Sequence, residues 1–218
     1  MKILLLNYEW PPLGGGGGRV ASDLAKQLST KDKCFFDVVT SRFSDLSYFE
    51  KLSNNIKVFR VWSGRKDRAI GKTWEMAFYL WFGFWQSRKL IKQNNYNLAH
   101  CHFLIPTGIL ALIIKRLYKL PFVVTVHGSD VPGYNPDRFK LLHKVLKPIV
   151  LAVIKGADKI VCPSLFIKNL ILEQLGDFDS KIVVIPNGIN ISIFIYSILL
   201  IIFSVFYSNH WGYQQSHE

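Results

Sequence analysis

A histidine that closes an apolar run and is followed at once by glycine stands where chemistry is done. The stretch Val123-Val124-Thr125-Val126-His127-Gly128-Ser129-Asp130 has this form. If Val123–Val126 is a buried strand of a parallel sheet, His127 lies at its carboxyl end, the edge at which such sheets bind ligands. An imidazole there can donate, accept or carry a proton near neutral pH. His127 is therefore read as the catalytic candidate. Gly128 gives the following loop its freedom, and Asp130 is placed either to orient the ring or to contact a ligand hydroxyl.

A second candidate lies near the amino terminus. Glu9-Trp10-Pro11-Pro12-Leu13 leads into Gly14, Gly15, Gly16, Gly17 and Gly18 and then Arg19. A glycine run between a strand and a helix permits positive φ and lets backbone N–H groups come close to a ligand. A helix starting near Arg19 would aim its positive end at the same space, an arrangement suited to a phosphate or diphosphate. The loop is not a P-loop, because Lys-Ser/Thr does not follow the last glycine. Nor is it the dinucleotide fingerprint, since Thr40 and Ser41 rather than an acid end the second strand. The bland alternative is a flexible low-complexity loop.

The third candidate is His100-Cys101-His102, with Pro106 and Gly108 behind it. Alternation on a strand puts His100 and His102 on one face, which raises the question of a metal. No third ligand has suitable spacing, and no metal is expected. His102, at the strand end, is expected to line the cleft, and His100 to be packed. No nucleophile elbow, triad or paired-carboxylate spacing is present.

These residues need a scaffold that brings strand ends together. Apolar runs at Ile3–Asn7, Phe35–Thr40, Ile56–Val61, Leu98–His102, Phe122–His127, Lys159–Cys162 and Ile182–Ile185 read as strands, several without alternation, as in sheets covered on both faces. Amphipathic stretches near Val20–Ser29, Thr73–Lys92, Thr107–Tyr118, Arg138–Lys155 and Ser164–Leu175 fall between them. This alternation predicts an α/β fold, a doubly wound parallel Rossmann-like sheet in a single domain. The Thr73–Lys92 stretch is apolar nearly all round. It reads either as a buried helix or as an aromatic face dipping into a lipid interface, with Arg65, Lys66, Arg68 and Lys72 nearby for phosphates.

The composition narrows the classes of function. Half of the 218 residues are hydrophobic and 19% are charged, with a formal net charge of +12. Size and hydrophobicity allow one large core. The cations are scattered over helix faces, so they read either as solvated surface or as attraction to phosphates or an acidic membrane. No zinc-finger or RNA-binding signature points to nucleic acid, and none is expected as a partner. Cys34, Cys101 and Cys162 lie far apart in apolar runs and read as buried thiols of a reducing compartment. The apolar run after Met1-Lys2 stops at Asn7, too short for a signal peptide. The expected location is cytoplasmic, with peripheral placement at the inner face of the membrane open.

The Glu9–Gly18 loop, His100–Gly108, His127–Asp130, Val161–Ser164 and Pro186-Asn187-Gly188-Ile189 together resemble the retaining glycosyltransferases of family four. That family has the GT-B architecture of two facing Rossmann-like domains. The resemblance covers roughly residues 1–190 and makes them the N-terminal, acceptor-side domain. It implies sugar transfer with retention from a nucleotide-sugar donor to a cell-envelope or lipid-linked saccharide acceptor, usually without a metal and with no cofactor. It places the glycine loop near the donor phosphates and the acceptor, and His127 against the transferred sugar. Asn187 belongs to the motif that closes the family's N-terminal domain.

From Ile191 to Tyr207 the sequence is almost wholly apolar and uncharged. As a helix it would span about 25 Å, short of the ~30 Å hydrocarbon core. Because the family continues with a donor-binding domain, the apolar tail 191–218 reads as a frameshift or truncation product. The expectation is then a chain inactive by itself. Alternatives are a membrane-tethered domain and a non-catalytic acceptor-binding subunit that needs a separate donor-binding partner.

Overall fold

The computed structural model describes residues 1–31, 34–68, 71–134 and 136–188, the side chains of 31 and 136–145 excepted. It divides into a first unit, Met1–Pro186, and a second, Asn187–Glu218. Of the second unit only Asn187 and Gly188 are described, so the apolar tail lies outside the described residues.

Strands β1 (Lys2–Leu6), β2 (Phe35–Phe43), β3 (Phe49–Lys51), β4 (Ile56–Arg65), β5 (Leu98–His102), β6 (Phe122–Thr125), β7 (Lys159–Cys162) and β8 (Ile182–Val184) form one sheet in the order β3-β4-β2-β1-β5-β6-β7-β8. All pairings are parallel except β3 with β4. The helices are α1 (Gly16–Lys31), α2 (Thr73–Gln93), α3 (Ile109–Tyr118), α4 (Pro136–Gly156) and α5 (Leu165–Leu175). The expected doubly wound α/β sheet is thus present, and β5 and β7 have the expected bounds. Strand β3 was not expected. Three residues carry no readable period, and the strand forms only because Phe49, Glu50 and Lys51 fold back on Phe59, Val58 and Lys57.

Strand order reverses at β1: β2 lies on one side and β5 on the other. Right-handed crossovers then set α1 on one face and α2 to α5 on the opposite face. Alternate residues of β1 serve the two faces. Ile3 and Leu5 join Ala21 and Ala25 of α1 with Phe36 and Val38. Leu4 and Leu6 join the larger core of Tyr79, Leu110, Val153 and Ile167. The Tyr79 hydroxyl, fully buried, donates to the Val39 carbonyl at 2.9 Å, fixing α2 to β2. Helix α5 starts as its sequence suggests, with the Ser164 hydroxyl accepting from the Ile167 N–H at 3.3 Å.

The reading of α2 as a buried helix needs correcting. It buries Glu75, Tyr79, Gly83, Ser87 and Leu90, one residue per turn. Its other face, with Trp74, Phe78, Trp81, Phe82 and Trp85, is exposed.

Candidate functional site

The loops after β1, β5 and β6 leave the sheet at the carboxyl edge, around the point where strand order reverses. Phe103 joins them. Its ring lies 4.5 Å from the His127 ring and 5.2 Å from that of Tyr8, centroid to centroid. A Cβ on Gly17 would sit 2.3 Å from the Phe103 Cζ, so the glycine loop rests directly on this ring. One aromatic side chain therefore separates the glycine loop from His127.

Phe103 reaches that place through an unusual backbone, φ +77° and ψ 143°. A residue with a Cβ in this region carries strain of about 1–3 kcal/mol, held here by hydrogen bonds on every side. Its N–H donates to the Thr125 carbonyl at 2.9 Å, and its carbonyl accepts from the Gly108 N–H at 3.1 Å and the Thr107 hydroxyl at 2.8 Å. The neighbouring Leu104 N–H donates to Asp130 Oδ2 at 2.8 Å, while Asp130 Oδ1 accepts the His127 N–H at 2.9 Å. Asp130 thus clamps the β5 and β6 loops through their backbones and does not touch the imidazole itself.

The three histidines form a file. His100 Nε2 lies 2.8 Å from Thr125 Oγ1, the His100 and His102 rings lie 4.6 Å apart, and His102 Nδ1 lies 3.1 Å from His127 Nε2. His102 is fully buried and meets the cleft only through His127, which is half-buried. Burial lowers His100 to about 4 and holds His102 well below the ordinary imidazole range, with repulsion between the rings adding to both. Burial also lowers His127, against the opposing pull of the Asp130 and Glu9 carboxylates. All three are neutral at pH 7.

Neutrality fixes the tautomers. His102 Nε2 is buried with no hydrogen-bond partner among the described residues, and a bare lone pair there costs less than an orphaned N–H. The shared hydrogen is therefore carried by His102 Nδ1 and given to His127 Nε2. His127 then carries its own proton on Nδ1. With Nε2 occupied, it can offer a donor and cannot serve as a base.

In the glycine loop only Gly14 has a positive φ, +81°; Gly16, Gly17 and Gly18 already belong to α1. The run permits positive φ but uses it at Gly14 alone, and the helix expected to start near Arg19 starts at Gly16. A Cβ on Gly18 would meet the Glu9 carbonyl oxygen at 2.9 Å, whereas Gly15 and Gly16 open onto empty space. The first helical bond runs from the Arg19 N–H to the Gly15 carbonyl at 3.4 Å, leaving the N–H groups of Gly16 to Gly18 outside the helix ladder. No acid occupies the first turn of α1 itself; the one carboxylate at its positive pole is Glu9, which takes the Gly15 N–H at 3.3 Å and leaves those of Gly16 to Gly18. Arg19 is exposed on that turn. Gly128, φ +97°, bends the β6 loop past Tyr134. Asn187, exposed, opens the second unit.

The sequence did not single out the ion network beneath the loop. Arg65, with its side chain 1% exposed, lies 3.7 Å from Glu9 and 3.9 Å from Glu75. Glu9 Oε2 accepts the Gly15 N–H at 3.3 Å, and Glu75 Oε2 accepts the Lys72 N–H at 2.8 Å. The start of α2 is thereby tied to the glycine loop through one buried guanidinium. The available signal was Glu75 itself, a lone acid in an apolar helix. Phe103 and Tyr8 gave none. Burial first, then the Glu9 carboxylate, push the Tyr8 phenol far up, so it stays protonated.

Comparison with known proteins points one way. The family model described as Glycosyltransferase Family 4 matches residues 14–193. A UDP-Gal:alpha-D-GlcNAc-diphosphoundecaprenol alpha-1,3-galactosyltransferase of Escherichia coli is 33% identical over 194 residues, 88% of this chain and 46% of its own length. An uncharacterized glycosyltransferase of Methanocaldococcus jannaschii is 27% identical over 191 residues, 87% of this chain and 47% of its own. The chain spans about half the length of these two relatives. Sucrose-phosphate synthase from Thermosynechococcus elongatus superposes with a TM-score of 0.74 over 88% of this chain and 49% of that one, at 15% identity, a likeness of fold.

Proposed function

The chain belongs to glycosyltransferase family four, and we propose that its described domain is the acceptor side of an enzyme transferring a sugar, with retention, from a nucleotide-sugar donor to a lipid-linked or cell-envelope saccharide. The observation that carries this reading is the meeting of the glycine loop and His127 across the Phe103 ring at the carboxyl edge of the sheet. The open N-terminus of α1 supplies backbone N–H groups and a positive pole for the donor diphosphate, and Arg19 adds a cation. His127, neutral and protonated on Nδ1, donates a hydrogen bond to the sugar in transfer. His102 holds the His127 tautomer, and Asp130 holds the two loops at their spacing. Donor nucleotide and sugar are read by a second domain facing this edge, which residues 1–186 do not include. The galactosyltransferase relative, named for a diphosphoundecaprenol-linked substrate, favours a lipid-linked acceptor. Among the described residues no helix is long and apolar enough to cross a membrane, and we place the enzyme on the inner membrane surface.

The test is sugar transfer from a panel of nucleotide sugars to diphosphoundecaprenol-linked acceptors, with the chain joined to a donor-binding domain. His127→Ala should lower turnover by at least ~100-fold. Near-normal turnover removes His127 from the reaction, and no transfer from any donor sinks the reading.

A further inference from the structure

Helix α2 has two apolar faces, and the core uses one. The other presents Trp74, Phe78, Trp81, Phe82 and Trp85 at successive helical spacings, all exposed, with Trp81 the most open at 62%. Trp62 of β4, also exposed, packs edge-on against Phe78 and Phe82 at 4.9 and 5.5 Å. Trp74 meets Phe78 at 5.9 Å, and Trp81 meets Trp85 at 6.1 Å. These six rings leave on the order of 500 Å² of contiguous aromatic surface in water, at the upper end of what monomers tolerate without a partner.

The same helical face continues into Arg88, Lys89 and Lys92. The Arg88 guanidinium sits over the Trp85 ring at 5.2 Å. At the other end of the band, Lys66, Arg68 and Lys72 are exposed. The one acid of α2, Glu75, is buried and occupied by the Lys72 N–H and by Arg65. Cations therefore bracket the aromatic band; the exposed face of α2 carries no carboxylate, and the one exposed acid beside the Lys66–Lys72 end, Asp67, is outnumbered there by Lys66, Arg68 and Lys72.

We propose that this face of α2, with Trp62, lies flat on an anionic lipid bilayer. Tryptophan rings prefer the depth of the headgroups. Lysine and arginine at both ends of the band would meet lipid phosphates, each contributing attraction that salt screens. A convex helix bearing rings between two sets of cations matches a planar anionic surface, which satisfies both ends at once. The inference deepens the peripheral placement proposed above and requires no step of transfer.

The experiment uses the intact chain and sucrose-loaded vesicles of phosphatidylcholine, with and without phosphatidylglycerol. Binding to the anionic vesicles is expected, with little to the neutral ones. Trp81→Ser/Trp85→Ser and Lys89→Glu/Lys92→Glu should each lower that binding roughly tenfold or more, with melting unchanged because the side chains are exposed. Equal binding by these variants overturns the proposal, as does an intact chain that ignores both vesicles, in which case the face belongs to a protein partner.

A second readout separates this face from any other route to lipid. Brominated lipid should quench the intrinsic fluorescence, and replacing Trp62, Trp74, Trp81 and Trp85 by Phe should remove most of that quenching. Undiminished quenching, arising then from Trp10 or Trp211, also overturns it. Transfer to a water-soluble acceptor by the domain-joined enzyme should be unchanged in Trp81→Ser/Trp85→Ser, so loss of docking and loss of function are read separately.

Discussion

Mild acid should loosen this domain through its buried imidazoles. His100 and His102 are neutral in the folded chain, and once unfolded they take up protons near pH 6.5. The unfolded state then binds more protons, so stability falls as pH drops through 6.5 toward the folded value. With His100 lowered to about 4, going from pH 7 to pH 5 removes about 2 kcal/mol for that residue alone, as an upper bound. His102, held lower still, removes at most a similar amount. A domain of this size is stable by about 5–15 kcal/mol, so the loss is large enough to measure. Urea unfolding followed by circular dichroism at pH 7, 6 and 5 gives the slope. His100→Gln, whose amide can reach the Thr125 hydroxyl as Nε2 does, should keep the pH 7 stability within about 1 kcal/mol and lose roughly a third to a half of the acid sensitivity, His102 and His127 supplying the rest. Ordinary carboxylates barely titrate in this window and cannot supply the slope. An unchanged slope in the variant would refute the assignment of neutral, desolvated rings.

Substitutions at three further positions probe the site backbone. At position 103, Gly should be more stable than Ala by about 1 kcal/mol, because both lose the ring but only Gly relaxes at φ +77°; thermal melts that rank Ala above Gly would dismiss the strain. Gly18→Ala should cost about 1–3 kcal/mol, since its Cβ meets the Glu9 carbonyl at 2.9 Å. Gly16→Ala, which opens onto empty space, should be neutral or stabilising by up to ~1 kcal/mol; equal losses at both positions in urea midpoints would contradict this packing.

What could be read from the residues follows from how local each signal is. Continuous apolar runs such as Phe122–Thr125 and Lys159–Cys162 announce strands because both faces of a parallel sheet are covered. The glycine run and His127 announce themselves by residue type at an element boundary. Their meeting does not, because Phe103 joins them through a backbone angle that no composition marks. The Arg65–Glu9–Glu75 contacts link residues far apart in the chain, and pairing over such distances leaves no periodic trace. His102 shows the limit of position as a guide. The end of a strand can be an interior site, and this one lies behind His127. Helix α2 misled for another reason: an all-round apolar pattern records that both faces are apolar and does not say what, if anything, covers them.

The three cysteines bear on how this site can be watched. Cys34, Cys101 and Cys162 are all buried, and burial pushes the Cys101 thiol up and the Cys162 thiol to about 12. At neutral pH such thiols react slowly with alkylating reagents. A single cysteine introduced at Gly15, exposed beside the α1 terminus with nothing within 4 Å of its Cβ position, would be modified first. A spin label or environment-sensitive dye could then report ligand arrival at the loop without any native cysteine having to be removed.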